Sequence, residues 1–327
     1  MTANAAMRGL YARLGSVNIE QAFAKKVLPE WWDNKIAVQP AGLQQAQLFF
    51  SRAFNIDIRS WSEASESLRF RSVVHKYKRN QGKSEAKVIV SAHYANAMAR
   101  LALQATPVEF SAVNENPVEL REYLLRHHDC INLNVLLSYC AEIGVPVLYI
   151  EKMPDVKMDG LAIRFEDRYA IVLSKKGHPS ELLFHLAHEL GHIAKNHLGS
   201  QDGFLVDQKI SASDGGDADE KEADAYAIRL LNGLDAEYRA EGFLSESALY
   251  SAACECAARE RVDVGHIILN YGHHNNRHAL AKLALKRVEP DYGGPLVNEA
   301  LFNLLDLELL SEDQAHLLKI ATEYSAE

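Results

Sequence analysis

The sequence HELGH at residues 188–192 constrains the fold of this chain more than any other feature. It lies in a predicted helix over residues 179–198, whose apolar residues recur at helical spacing. Residues four apart lie one above the other on the same face of a helix. The spacing therefore predicts that His188 and His192 present two imidazole nitrogens to one metal ion. Glu189 is rotated by about 100° from His188, so it flanks the ion, where it suits a general base acting on metal-bound water.

The next predicted helix offers a third ligand for a zinc ion. Catalytic zinc needs three protein ligands and an open position for water. Residues 219–226 read DEKEADAY, which places Glu220 in the first turn and Asp224 one turn later on the same face. We predict Glu220 as the third ligand and Asp224 as the carboxylate that accepts the distal N–H of a ligating histidine. Glu222 is the alternative ligand, but it points about 200° away from Glu220 and has no carboxylate four residues later.

The remaining pattern predicts an α+β protein that is mostly helical. Predicted helices cover residues 43–54, 66–104, 118–143, 179–198, 219–232 and most of 236–327, and predicted strands cover 145–150, 161–165 and 169–173. Residues 199–218 are predicted as a loop. We therefore expect a zincin-like core with a small mixed sheet at 116–235. A helical region at 1–115, with a regulatory or nucleic-acid-sensing role, precedes this core, and a helical region at 236–327 follows it.

Charge and cysteine usage exclude several classes of protein. The 327 residues carry a net charge of −9, whereas a protein that coats duplex DNA is usually basic. The sequence has no apolar stretch long enough for a transmembrane helix, so no membrane partner is expected. Its four cysteines are too few and too unevenly spaced for a disulfide framework. A reducing cytoplasm is the expected compartment.

On these motifs the chain resembles the ImmA/IrrE family of zinc metallopeptidases. The sequence LLFHLAHELGHIAKNH at 182–197 is similar to the family's FTLAHELGH helix. DEKEADAYAIRLL at 219–231 is similar to its ExEANxFAxxLL helix, in which the first glutamate, here Glu220, is the third zinc ligand. The resemblance extends over about residues 120–285. Three departures are His185 where the family usually has threonine, Asp224 where it often has asparagine, and a region 1–115 without a clear helix-turn-helix signature.

The resemblance implies a narrower function than general proteolysis. Members of the family cleave a helix-turn-helix transcriptional repressor and thereby derepress stress, DNA-damage, mobile-element or phage-defence genes. Relatives of the CapP type, which regulate antiviral defence, are similar in size and layout. In some relatives single-stranded DNA is the activating signal. A helix-turn-helix repressor is therefore the expected substrate, and single-stranded DNA an expected activator.

Four further hypotheses concern residues outside the metal motifs. Lys76, Lys78 and Arg79 lie in a cationic run over 69–87 that also holds Phe70 and Tyr77, a composition that suits single-stranded nucleic acid but also a solvated helix face. The Cys130 thiol could occupy the open zinc position and silence the enzyme, although a buried thiol is the alternative. A substrate strand could add to the edge of the 161–173 hairpin. Residues whose side chains could stabilise the transition state are Tyr226, Arg229, His273 and His274.

Two other functions remain open from the sequence. The chain could be a DNA-binding regulator whose zinc is structural, or a partner-binding module that keeps an intact site. A structural zinc site normally has four protein ligands and no adjacent base. The sequence offers three ligands together with Glu189, which favours the enzyme.

Overall fold

The computed structural model describes residues 3–62, 67–72, 74–77, 83–207, 218–240, 244–288 and 292–325. Thirteen α-helices and five β-strands lie within these ranges. The helices are α1 Ala3–Gly15, α2 Gln21–Lys26, α3 Pro40–Phe54, α4 Lys83–Ala105, α5 Pro117–Leu124, α6 Leu133–Glu142, α7 Pro179–Ala194, α8 Ala218–Asn232, α9 Glu246–Glu260, α10 Val264–His274, α11 His278–Leu285, α12 Gly294–Leu304 and α13 Glu312–Thr322. The strands are β1 Val74–Tyr77, β2 Val147–Tyr149, β3 Gly160–Phe165, β4 Arg168–Leu173 and β5 Gly203–Asp207. The predicted α+β class with a mostly helical fold is confirmed.

The strands form one mixed sheet in the order β1-β5-β3-β4-β2. The hairpin of β3 and β4 is antiparallel, as is the pair of β3 and β5, whereas β1 runs parallel to β5 and β2 runs parallel to β4. Both hairpin strands are therefore interior strands. The expectation that a substrate adds to the hairpin edge is wrong, because the backbone hydrogen-bonding groups on both sides of the hairpin already pair with β5 and β2.

Helices cover both faces of this sheet. Residues of β3 alternate between two cores: Leu161 and Ile163 pack in the core that contains α4, whereas Ala162 packs in the core that contains α7. Successive strand residues point to opposite faces, so every β3 residue from 160 to 163 is buried. The N-terminal region thus shares a core with the sheet. The domain boundaries after residues 115 and 235 stay predictions.

The structure corrects three parts of the secondary-structure prediction. Residues 74–77, predicted as helical, form strand β1, and the helix begins only at Lys83. The predicted loop at 199–218 contains strand β5, and the predicted helix at 118–143 is divided into α5 and α6. Both missed strands are short and pair with each other, so their stability depends on partners distant in sequence rather than on local pattern.

Helix α7, which carries the HELGH sequence, has a well-defined start. Its N-cap is His178, whose Nδ1 accepts a hydrogen bond from the Ser180 backbone N–H, while the Glu181 carboxylate accepts from the His178 backbone N–H. Pro179 occupies the first helical position, where its fixed φ and missing N–H cost nothing. These contacts fix the register of the helix, and with it the face on which His188 and His192 lie.

Helices α7 and α8 approach each other closely at Gly191. A Cβ atom on Gly191 would lie 3.1 Å from the Cα and the carbonyl oxygen of Ala223, so glycine permits this spacing. Helix α8 ends at Asn232 and is followed by Gly233, whose φ of +81° is a conformation that favours glycine. The close approach brings the first turn of α8 beside the last turns of α7.

The buried side chain of Arg121 holds the far end of α8 in place. Its guanidinium donates to the carbonyl oxygens of Leu230 and Leu231 at 3.3 and 2.6 Å, and to those of Glu260 and Arg261 at 2.9 Å each. These acceptors lie at the C-terminal ends of α8 and α9, whose last carbonyl groups lack partners within their own helices. One side chain of α5 therefore joins three helices.

No helix among the described residues is both long enough and apolar enough to cross a bilayer.

We predict that Arg121→Ala lowers the free energy of unfolding by about 2–4 kcal/mol, because it removes the charged donor from four carbonyl groups, of which those of Leu230 and Leu231 are buried. Chemical denaturation followed by circular dichroism measures this change. Arg126→Ala, an exposed arginine just beyond the same helix, is the matched control and should change the free energy by less than about 0.5 kcal/mol. Equal effects of the two substitutions would contradict the anchoring role.

Candidate metal centre

Three side chains from α7 and α8 converge on one point. The Nε2 atoms of His188 and His192 lie 3.0 Å apart, and the Glu220 carboxylate oxygens lie 3.5 Å from the first and 3.7 Å from the second. All three ligand atoms lie within 4.8 Å of one another. Donor atoms bound tetrahedrally at zinc-like bond lengths are about 3.3 Å apart, so these residues fit a small divalent cation.

The distal nitrogen of His188 is held as the sequence predicts. Its Nδ1 lies 2.9 Å from the Asp224 Oδ1 atom, one helical turn beyond Glu220. A carboxylate at this position fixes the tautomer in which Nε2 faces the metal and makes that nitrogen a stronger donor. Both imidazoles are almost completely buried, so their orientation is restricted by packing as well.

His192 is held by a residue to which the sequence prediction gave no role. Its Nδ1 atom lies 2.8 Å from Nδ1 of His197, and Nε2 of His197 lies 3.1 Å from a Glu222 carboxylate oxygen. His197 follows the end of α7, where the backbone turns through Asn196 at a φ of +54°. The side chain of Glu222, the alternative third ligand, thus contacts His197 and not the ligand group.

Glu189 lies beside the start of strand β3. Its side chain is fully buried, and a Cβ atom on Gly160 would lie only 2.2 Å from the Glu189 Oε1 atom. Only glycine leaves room for the carboxylate in this position. The sequence prediction did not identify Gly160, because a glycine before a strand is an ordinary turn signal.

A cavity of about 530 Å³ lies along α7 and reaches the metal group through Asp224, the hydrogen-bond partner of His188, rather than through the three candidate ligands themselves. Phe184 and His185, one turn before His188, form part of its wall together with Asp224 from α8. The wall also includes His266 of α10, which is 3% exposed and whose Nε2 has no hydrogen-bond partner among the residues described. Burial lowers the pKa of His266 to about 4, so this imidazole is neutral at pH 7. The cavity can therefore receive a side chain beside Asp224, which contacts the candidate ligand His188.

The other predicted residues have different positions. The metal-binding group identified among the described residues contains no cysteine, and Cys130 lies in the loop between α5 and α6, where burial raises the pKa of its thiol. Lys78 and Arg79 lie outside the described residues, and for Lys76 only the backbone in β1 is described. The structure thus does not bring Cys130 to the three ligands, and the nucleic-acid prediction stays a prediction.

The four residues predicted as transition-state donors divide into two pairs. The Tyr226 hydroxyl donates to the Asn114 carbonyl oxygen at 2.7 Å, and Arg229 forms an ion pair with Asp235 at 2.8 Å, so both are engaged elsewhere. His273 and His274 line the cavity next to the metal group.

Comparison with known protein families supports a metallopeptidase. Residues 140–233 match the model of the peptidase M78 family described as the IrrE N-terminal-like domain. The match runs from α6 to the end of α8 and includes all three ligand residues. The resemblance drawn from the sequence is thus confirmed for the family, while the CapP type stays a prediction. No curated protein matches the sequence.

We predict that Glu220→Gln weakens Zn²⁺ binding by more than about 100-fold, because an amide replaces one of three ligands. Glu222→Gln is the matched control on the same helix and should bind Zn²⁺ within about tenfold of the unaltered protein. Competition with a chromogenic chelator measures both affinities. If Glu222→Gln proved the more damaging of the two, the assignment of Glu220 as ligand would be wrong.

We predict that Asp224→Ala weakens Zn²⁺ binding by about 10–100-fold while the fold is retained, since it removes the acceptor that orients His188. Asp224→Asn keeps a carbonyl oxygen as acceptor and should recover most of the loss. The same chelator competition measures both variants. An unchanged affinity of Asp224→Ala would show that packing alone orients His188.

Proposed function

We propose that this chain, whose residues 140–233 match the IrrE N-terminal-like domain, is a zinc-dependent endopeptidase of the ImmA/IrrE type that cleaves a helix-turn-helix transcriptional repressor. The observation that carries the enzymatic part is the convergence of His188, His192 and Glu220 beside a buried Glu189. The repressor as substrate follows from the family resemblance. Its cleavage would derepress stress, mobile-element or phage-defence genes.

Zinc fits the donor set better than magnesium or calcium do. Two imidazoles and one carboxylate are zinc-type ligands, whereas the two harder cations take oxygen ligands almost exclusively. Each imidazole also has its second nitrogen fixed, by Asp224 for His188 and by His197 for His192. This arrangement is typical of sites that keep their ligands preoriented for zinc.

Glu189 performs the proton transfers in the proposed mechanism. When bound, zinc would supply Lewis acidity toward water and the scissile carbonyl group. The Glu189 carboxylate accepts the proton of the attacking water and then delivers it to the nitrogen of the leaving amine. Gly160 leaves the space that the carboxylate occupies, and the complete burial of Glu189 keeps it out of bulk solvent.

The cavity beside the metal group is the proposed binding site for a substrate side chain. Phe184, Ile228 and Leu269 give it an apolar wall, and the neutral His266 offers a hydrogen-bonding nitrogen. His273 and His274 lie on the same wall, where a donor could reach the scissile carbonyl group. Selection of one repressor would then combine this cavity with surfaces outside it. Single-stranded DNA as activator remains part of the proposal on the family resemblance alone.

The alternative of a regulator or partner module with structural zinc has less support. Four protein ligands normally complete a structural site. The metal-binding group found in the described part of the chain has three, and Glu189 lies next to it in sequence.

We predict that Glu189→Gln abolishes peptide cleavage, lowering the rate by more than about 1000-fold, but retains Zn²⁺, because the amide is no ligand and no base. The purified protein is incubated with Zn²⁺ and a library of peptides that includes helix-turn-helix repressor sequences, and new termini are identified by mass spectrometry. Glu255→Gln on exposed α9 is the matched control and should cleave normally.

Two outcomes would contradict the proposal. Cleavage that survives in Glu189→Gln would exclude this residue as the base. Absence of cleavage by the unaltered, zinc-loaded protein across the whole library would favour the partner-module alternative.

A further inference from the structure

We propose that a second cavity, lined by four arginines and distant in sequence from the metal ligands, binds a nucleotide through the guanidinium groups of three of them and its own phosphate groups. The cavity has a volume of about 460 Å³ and lies between α3, α4, α13 and the turn of the β3–β4 hairpin. These three arginines are Arg52, Arg71 and Arg100. This site is independent of the proposed peptidase activity.

Each arginine comes from a different element. Arg52 lies in α3 and Arg100 in α4, while Arg71 follows a short bridge between Ile56 and Phe70. The Arg71 backbone N–H donates to the Asn55 carbonyl oxygen at 2.8 Å, which fixes the start of its side chain. The fold therefore gathers three guanidinium groups that the sequence separates by many residues.

The three guanidinium groups lack carboxylate partners. Within the described part of the chain, none of them has an aspartate or glutamate oxygen at ion-pair distance. Two acids, Glu166 and Asp313, line the same cavity, and Asp313 accepts the indole N–H of Trp31 at 3.1 Å. The fourth arginine of the wall, Arg168, instead donates hydrogen bonds to backbone carbonyl oxygens, which belong to Leu103, Thr106 and Val108.

The field of these groups favours an anion. Burial and the positive charge of Arg71 lower the pKa of Arg100 by more than the charges of Asp202 and Glu166 raise it, so the net effect on this guanidinium is unfavourable in the absence of an anion. The Arg100 guanidinium lies 4.0 Å above the centre of the Phe165 ring, which fixes its plane. A preoriented planar guanidinium binds phosphate through two parallel hydrogen bonds.

The remainder of the cavity wall suits a ligand that carries a nucleobase rather than an inorganic anion alone. Phe49, Leu101 and Leu317 form apolar surface, and the amides of Gln104 and Gln314, which hydrogen-bond to each other, line the cavity beside them. A volume of about 460 Å³ lies in the range of small-ligand sites and exceeds the space that phosphate alone requires. Charge, apolar wall and amides together match a mononucleotide.

Arg71 also belongs to the cationic run at 69–87 in the sequence. That run suggested a linear surface for single strands, whereas the structure places Arg71 in a cavity with residues from two helices. The end of an oligonucleotide carries the same kind of phosphate group as a free nucleotide. The experiment therefore compares a free nucleotide with an oligonucleotide as ligands.

Isothermal titration of the full-length protein with ADP tests the proposal, at about 50 mM salt so that electrostatic binding is not screened away. We expect one ADP per chain and at least tenfold weaker binding in the double variant Arg52→Glu/Arg71→Glu. Both residues are exposed, so the fold should be retained, and thermal melting checks this. The matched control is Lys282→Glu/Lys286→Glu, which makes the same change in net charge at two exposed positions in and just after α11. This control should bind ADP as tightly as the unaltered protein does.

Arg100→Lys provides a second test that keeps the net charge. It removes the planar fork above Phe165, so ADP binding should weaken several-fold. Three results would overturn the assignment: no ADP binding at millimolar concentration, equal weakening by both double variants, or pyrophosphate bound as tightly as ADP. A further ligand, oligothymidine of about ten residues, separates a free nucleotide from nucleic acid. If it binds more than tenfold tighter than ADP, and if Arg52→Glu/Arg71→Glu abolishes this binding, the ligand is nucleic acid and the assignment of a free nucleotide is wrong.

Discussion

The contact between Gly191 and Ala223 is the constraint on which the metal centre depends. A Cβ atom at Gly191 would lie 3.1 Å from the Ala223 backbone, closer than side chains normally pack, so a side chain there would push apart the two helices that carry the candidate ligands by a few tenths of an ångström. His188 and His192 lie on one side of this contact and Glu220 on the other. The HELGH sequence thus contributes two ligands, a candidate base and the small residue that lets the third ligand reach them.

The remaining fold supports this contact from three sides. The capped start of α7 fixes the register of the histidines, and Arg121 fixes the far end of α8. The sheet lies against α7, where Gly160 leaves space for the Glu189 carboxylate. Helix α8 then serves both histidines: Asp224 holds His188 directly, and Glu222 holds His192 through His197. Rigid elements rather than loops therefore position most of the site.

The sequence predicted which side chains converge at the candidate metal centre because this information is local. Helical periodicity alone places His188 and His192 on one face, and the spacing of Glu220 and Asp224 distinguishes them from Glu222. His197 and Gly160 were missed because their roles depend on packing: one lies beyond a helix end at a positive φ, and the other faces a residue 29 positions away. His266 reaches the cavity only through the packing of α10 against α7. Strands β1 and β5 were missed because each pairs with partners remote in sequence.

The position of β5 in the chain has a thermodynamic consequence. This strand lies within the connection between α7 and α8. Its partner β1 belongs to the N-terminal region and ends at Tyr77, six residues after Arg71. A cation bound between α7 and α8 would restrict the conformations of that connection, so we expect binding of the cation and pairing of β1 with β5 to stabilise each other. Because such a coupling is reciprocal, a change that stabilises the β1–β5 pair would raise the affinity for the cation. Binding of the cation would stabilise that pair by the same free energy.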